Sequence, residues 1–68
     1  MSSTAIDHIH YYRESERLTV NFVTGRIYEY VDVPPEVAAS FQSAFSKGLF
    51  FNGYIHDRYD FREIVPAR

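Results

Sequence analysis

The sequence predicts a single α+β domain, spanning residues 1–68, in which a three-stranded antiparallel β-meander carries two helices on one face. Three observations support this class. Polar and apolar residues alternate with period two up to residue 33, two prolines at 34–35 end that alternation, and an apolar pattern of helical period follows. We also expect that a short C-terminal strand can follow the helices.

The first two strands are predicted from alternating side chains on either side of a polar turn at residues 13–16. Such alternation, rich in β-branched and aromatic residues, is typical of strands with one buried face. The Thr24-Gly25 pair then supplies the positive φ angle that a tight hairpin turn requires. The apolar positions that alternate along these strands are Ile9, Tyr11, Leu18, Val20 and Phe22.

The third predicted strand, residues 26–33, leaves one important question open. Tyr28 and Tyr30 share one face of this strand, whereas Ile27 and Val31 share the other. If the tyrosines face inward they belong to the core, which is the interpretation we favour. If they face outward they form a platform on which nucleobases can stack.

A helix is predicted to follow the two prolines, because proline is well suited to a first helical turn. Val37, Phe41, Ala44 and Phe45 recur at helical spacing, so they are expected to form one apolar stripe that covers the sheet. The helix should end near residue 45 or 46.

A second, shorter helix is predicted from Lys47 to about Asn52, with Ser46 as its N-cap and Gly53 as its stop. The remaining segment, residues 54–68, fits either a short strand or an extended tail.

The size and composition of the chain limit its function. A chain of 68 residues has one thin core and little room for a deep substrate cavity. It contains no cysteine, but six tyrosines and six phenylalanines must supply much of the buried area. The formal charge of −2 differs from the strong positive charge of typical nucleic-acid-binding domains.

The sequence predicts neither an enzyme nor a cofactor-binding protein. Serines and histidines are present, but no nucleophile-elbow motif surrounds a serine and no cysteine is available as a nucleophile. No apolar stretch resembles a signal peptide or reaches the length of a membrane-spanning helix. We therefore expect a cytoplasmic protein that does not contact the membrane.

Two short motifs carry chemistry of their own. Ser46-Lys47-Gly48 opens a predicted helix and fits an anion site, although a simple helix cap explains the same residues. His8 and His10 point to one side of a strand, but a zinc site needs three or four protein ligands, and only folding could bring His56 near them. We therefore predict no metal site.

Four local patterns occur along the chain in this order: Tyr28-Glu29-Tyr30, Val33-Pro34-Pro35-Glu36-Val37, Ser46-Lys47-Gly48, and Phe51-Asn52 followed by Ile55 and Tyr59. Together these patterns resemble a known family, the KTSC domain. The resemblance implies a short module that occurs alone in bacterial and phage proteins and as a tail on some lysyl-tRNA synthetases, and that has been regarded as a candidate RNA-binding module without an assigned function. The family usually has an arginine directly after the isoleucine that matches Ile55, where this chain has His56.

We expect the chain to be a small binding module that docks on a protein partner or on itself, because aromatic side chains are favoured interface anchors. The alternative is a weak RNA-binding accessory domain that uses Lys47, Arg58 and exposed tyrosines. Acidic residues are interleaved with the arginines, which is typical of an ordinary solvated surface. The candidate binding residues are Ser46, Lys47, Gly48, Asn52, Arg58, Tyr28 and Tyr30.

Overall fold

The computed structural model describes residues 5–64, which form one antiparallel sheet and one helical layer. The strands are β1 (Ile6–Tyr12), β2 (Arg17–Phe22), β3 (Ile27–Tyr30) and β4 (Phe61–Ile64). Between β3 and β4 lie α1 (Pro35–Ser43), α2 (Lys47–Phe50) and a π-helical turn (Phe51–Ile55).

The strand order is β1-β2-β3-β4, and every neighbouring pair is antiparallel. The predicted α+β class and the meander are therefore confirmed, and the short C-terminal strand exists. That strand adds a fourth member at the β3 edge of the sheet. Residues 65–68, the end of the segment whose conformation the sequence left open, lie outside the described residues.

Local backbone geometry explains the two hairpins. Glu16, at the end of the first turn, adopts a positive φ of 55° and its N–H donates to the Arg13 carbonyl. Gly25 has a φ of 96°, a conformation that glycine adopts without the steric cost of a Cβ. The Phe22 N–H donates to the Arg26 carbonyl at 2.9 Å and closes the second hairpin. The Thr24-Gly25 turn is therefore confirmed.

The register of β2 against β3 places the two tyrosines on the inner face of the sheet. Tyr30 lies opposite Leu18, and Tyr28 lies opposite Val20. Directly opposed residues of antiparallel strands point to the same face, and both Leu18 and Val20 are fully buried. The inward interpretation of Tyr28 and Tyr30 is correct, so these residues form no stacking platform on the outer face.

Helix α1 is shorter than the sequence indicates. It ends at Ser43, and Ala44 already has an extended backbone. Phe45 is fully exposed, at 106% of its reference area, so the prediction that Ala44 and Phe45 continue the apolar stripe is wrong. At this end, the Lys47 Nζ donates to the Gln42 carbonyl at 2.9 Å and satisfies a terminal acceptor of the helix.

The second helical segment also differs from its prediction. Ser46 is the N-cap, as expected, but the segment continues past Gly53 as a π-helical turn that ends at Ile55. The His56 N–H donates to the Phe51 carbonyl at 2.8 Å, which is the wider hydrogen bond of a π-helix. Both Phe51 and Ile55 are buried, so burial of Ile55 outweighs the stop that Gly53 alone would favour.

The core lies between the inner face of the sheet and the helical layer. Its two largest fully buried side chains are aromatic, as the composition requires. Among residues 5–64, no helix is long and apolar enough to cross a bilayer. The buried apolar residues are Leu18, Val20, Tyr30, Val33, Ala38, Phe41, Phe51 and Ile55.

Candidate functional site

An open groove of about 740 Å³ lies between α1 and the π-helical turn, and we call it the α1 groove. Its floor is apolar and aromatic, and its rim carries one acidic and one basic side chain. The residues that line it are Glu36, Val37, Ser40, Phe50, Tyr54, Arg58 and Tyr59.

Stacked aromatic rings build the floor of the α1 groove. The buried Phe41 ring stacks on Phe50 with centroids 5.3 Å apart, and Phe50 contacts Tyr54 at 4.7 Å. Phe50 is half-buried and Tyr54 is 60% exposed, so the row of rings runs from the core to the solvent. The floor is therefore supported by the core on one side and exposed to solvent on the other.

Arg58 is the candidate residue that the structure places in this groove. The chain leaves the π-helical turn through Asp57, whose φ is +64°, and the Arg58 N–H donates to the Ile55 carbonyl at 3.1 Å. This tight turn fixes the start of the Arg58 side chain at the rim, while Glu36 is supplied by the first turn of α1. The groove thus has opposite charges on its rim.

Ser46 and Lys47 have structural roles. The Ser46 Oγ accepts a hydrogen bond from the Leu49 N–H at 3.2 Å, and the Lys47 ammonium donates to carbonyls at the end of α1. Gly48 lies in the middle of α2, and Asn52 is exposed in the π-helical turn. Anion binding at these four residues stays a prediction.

Tyr28 and Tyr30 line a second concavity, of about 410 Å³, which we call the aromatic cavity. Phe50 and Phe51 are neighbours in sequence but line different concavities, Phe50 the α1 groove and Phe51 the aromatic cavity. The seven candidate residues are therefore not brought to one site.

The outer face of the sheet contains an ion-pair cluster that the sequence analysis missed. The Glu29 side chain is only 12% exposed, and its Oε1 lies 3.2 Å from Arg17 Nη1 and 3.0 Å from Arg62 Nε. Glu29 lies opposite Thr19 on one side and Arg62 on the other, in the middle of the sheet. The alternation of β3 was a signal for its outward position, but the position of Arg62 depended on the fourth strand.

His56 is not brought near His8 and His10, which line the same concavity on the outer face of the sheet. His8 Nδ1 lies 3.3 Å from Asp7, and His56 Nδ1 lies 3.5 Å from Asp57 at a different surface. Within residues 5–64, no group of three or more histidine, cysteine or acidic side chains could hold a metal ion.

Comparison with known proteins places this geometry in a family. The family model of the KTSC domain matches residues 2–59. A lysine–tRNA ligase of Nostoc punctiforme is 34% identical over 61 residues, which cover 90% of this chain and 11% of the ligase. A protein of Tsukamurella paurometabola is 36% identical over 59 residues, which cover 87% of this chain and 88% of that protein.

A solved structure agrees with the fold. The crystal structure of a KTSC domain protein from Yersinia pestis superposes with a TM-score of 0.86 at 36% identity, covering 96% of this chain and 92% of that one. The chain spans only about a tenth of the length of the ligase, and most of the length of the other two proteins. The resemblance seen in the sequence is confirmed, and the chain belongs to the KTSC domain family.

Proposed function

We propose that this KTSC domain is a non-catalytic interaction module and that its α1 groove docks a segment of a partner protein. One observation carries the proposal: the contacting rings of Phe50 and Tyr54 form an apolar floor that the described residues leave open to solvent. Tyrosine and arginine are the residue types most enriched where interfaces gain their energy, and Tyr54 and Arg58 line this groove.

The charges on the rim indicate the chemistry of the docked segment. Glu36 lies in the first turn of α1 and Arg58 lies beyond the π-helical turn, and both line the groove. A complementary segment has an apolar anchor for the floor and an acidic residue that pairs with Arg58. Such rim pairs guide the register of a complex more than they add affinity.

The lining of the α1 groove supports a binding role in place of catalysis. Glu36 and Arg58 are its only lining groups that are charged at neutral pH, and the lining contains no imidazole and no thiol. General acid–base and nucleophilic catalysis often rely on an imidazole or a thiol that is held away from water. An open groove does not provide that exclusion.

The test is a selection of short peptides from a displayed random library against the full chain, followed by calorimetric titration of the selected peptides. We expect peptides with an aromatic or aliphatic anchor next to Asp or Glu. Tyr54→Ala and Arg58→Glu should each weaken binding at least tenfold. Tyr12→Ala is the matched control, because Tyr12 is also half exposed but lies on the outer face of the sheet.

Peptides that bind both groove variants as tightly as the unchanged chain would remove the groove from the proposal. Light scattering over a range of protein concentrations tests whether the chain self-associates. A dimer mass that Tyr54→Ala returns to the monomer mass would assign the groove to a second copy of the chain instead.

A second candidate function, weak RNA binding, is favoured by the outer face of the sheet. The rings of His10 and Tyr12 are 4.5 Å apart, and Arg17, Asn21 and Thr19 lie on the same uncovered face. Aromatic side chains beside arginine suit the stacking of single-stranded bases. One relative is a lysine–tRNA ligase, a protein named for its action on tRNA. A cytoplasmic location is proposed together with this RNA-binding function.

The RNA candidate is tested by fluorescence anisotropy with a labelled single-stranded RNA at two salt concentrations. We expect binding that weakens as salt rises and that Tyr12→Ala reduces at least threefold, with Tyr54→Ala as the matched control. Absence of binding at low salt, or equal loss in both variants, would dismiss the outer face as an RNA site.

A further inference from the structure

The aromatic cavity is separate from both surfaces considered above. It lies on the inner face of the sheet, between side chains of β2, β3 and β4 and the π-helical turn. It shares no lining residue with the α1 groove. Its walls are formed by Phe22, Tyr28, Tyr30, Phe51 and Phe61, together with Ala5, Thr24, Arg26 and His56.

The five aromatic rings form a closed circuit of contacts. Successive centroids are separated by 5.4 Å from Phe22 to Tyr28, 5.3 Å from Tyr28 to Phe61, and 5.3 Å from Phe61 to Tyr30. The circuit closes through Phe51, which lies 5.8 Å from Tyr30 and 5.6 Å from Phe22. Each ring is thus in contact with two neighbours, an arrangement that favours a wall preorganised for a ligand.

The rings of this circuit differ in their exposure to solvent. Tyr30 and Phe51 form the base, at 1% and 8% exposure, whereas Phe61 is 53% exposed. The two tyrosines stack nearly parallel to Phe61, at 20° and 29°, while the contacts of Phe22 and Phe51 are edge-to-face. The contacts within the wall thus use both ring faces and ring edges, the two geometries in which aromatic groups pack.

The ionisable groups that line the cavity, apart from the tyrosines, are basic. Its lining contains the Arg26 guanidinium and the His56 imidazole, but no carboxylate. The nearest acid to Arg26 is Glu63, with its Oε1 at 3.9 Å from Nη1, so other guanidinium N–H groups remain for a ligand.

We propose that the aromatic cavity binds a small planar aromatic anion, with its ring against Tyr28, Tyr30 and Phe61 and its negative group at Arg26. The volume of about 410 Å³ falls within the range of small-molecule sites, roughly 300–1,000 Å³. Aromatic walls alone would also accept a cation, but a guanidinium in the lining repels one. An aromatic carboxylate and a nucleoside monophosphate share the required chemistry.

The proposal is tested by two-dimensional ¹H–¹⁵N NMR titration of the full chain with matched pairs of probes. Indole-3-acetate is compared with neutral indole-3-ethanol, and adenosine monophosphate with adenosine. We expect the anion of at least one pair to bind at least tenfold more tightly than its neutral partner. The amide shifts should include Phe22, Tyr28, Phe51 and Phe61, and the responding pair distinguishes the two ligand sources.

Variants separate charge from shape. Arg26→Gln should reduce the affinity for the anion at least fivefold and leave the neutral partner unchanged, because Gln keeps a polar side chain without the charge. Phe61→Ala should weaken both probes, and it is expected to fold because Phe61 is half exposed at the sheet edge. Tyr54→Ala, in the α1 groove, is the control that should change neither.

Three results would overturn the proposal. The first is equal affinity for the charged and neutral members of both pairs. The second is no shift of the cavity amides with any of the four probes. The third is tighter binding of a cation, choline, titrated in the same way, than of the anions. Retention of full anion affinity by a folded Arg26→Gln variant would also exclude Arg26 as the anionic contact.

Discussion

Neighbouring residues with the same chemistry have different roles in this domain. Tyr11 and Tyr12 are adjacent in β1, so they point to opposite faces of the sheet. The Tyr11 hydroxyl donates to the carbonyl of the buried Val33 at 2.7 Å, whereas Tyr12 is 51% exposed. The Tyr11 bond joins the first strand to the segment that leads into α1.

Removal of the Tyr11 hydroxyl should therefore destabilise the domain. We expect Tyr11→Phe to lower the free energy of unfolding by about 1–2 kcal/mol, because the Val33 carbonyl is left without this donor in a buried position. Urea denaturation followed by circular dichroism measures the difference. Tyr12→Phe is the adjacent control and should change the free energy by less than about 0.5 kcal/mol; equal effects of the two variants would contradict this role for Tyr11.

Residue chemistry also explains a limit of the sequence analysis. Glu29 looks like an ordinary solvated acid on the outer face of a strand, and its period-two position predicts that face correctly. Its pairing with Arg62 could not be predicted, because the partner is 33 residues away and depends on the register of β4. Charged surface residues with long-range partners have no signature in local sequence.

At the scale of the elements, the helical layer depends on where α1 ends. Phe41 is fully buried and stacks on Phe50, while Phe45, four residues later, is fully exposed. A continuous helix would bring both phenylalanines to one face. The Lys47 ammonium bonds the Gln42 and Ala44 carbonyls instead, and the chain turns before Phe45 can reach the sheet.

This difference leads to a prediction for a matched pair of phenylalanines. Phe41→Ala should cost about 3–5 kcal/mol, because it opens a cavity at the centre of a thin core. Phe45→Ala should leave the free energy of unfolding within about 0.5 kcal/mol, since Phe45 loses no buried area. Thermal unfolding of both variants provides the measurement, and a large loss in Phe45→Ala would show that the helix continues in solution.

The elements that the sequence predicted well are those governed by local rules. The hairpin at Gly25, the start of α1 at Pro35 and the Ser46 cap each follow from the backbone preference or hydrogen bonding of one or two residues. The π-helical turn and β4 depend on tertiary contacts. Gly53 reads locally as a stop, and Phe61 becomes part of a strand only because Tyr30 lies opposite it.

At the scale of the whole molecule, the small core makes stability sensitive to the ionisation of buried tyrosine. Burial, reinforced by the nearby Tyr28 and Asp57, raises the pKa of Tyr30 to about 12. An unfolded chain ionises the same tyrosine near pH 10. Tyr30 therefore contributes stability that is fully present below about pH 10 and is lost as the pH rises to about 12.

Alkaline unfolding tests this contribution. The free energy of unfolding of the unchanged chain should fall by on the order of 2 kcal/mol through Tyr30 between pH 9 and 12, because the unfolded state releases the proton first. Guanidinium titrations at several pH values give the curve. Tyr30→Phe keeps the ring and lacks the ionisable group, so its stability should fall less; parallel curves for the two proteins would contradict the assignment to Tyr30.

The position of β4 gives the aromatic cavity a dependence on the order of synthesis. The family match ends at residue 59, while the fifth ring of the cavity comes from Phe61 in β4. A nascent chain that has emerged from the ribosome only as far as residue 60 possesses every residue of the first three strands and both helices. The fifth aromatic ring, Phe61, becomes available only when β4 emerges from the ribosome. The first three strands and the helical layer can therefore assemble before the cavity is complete.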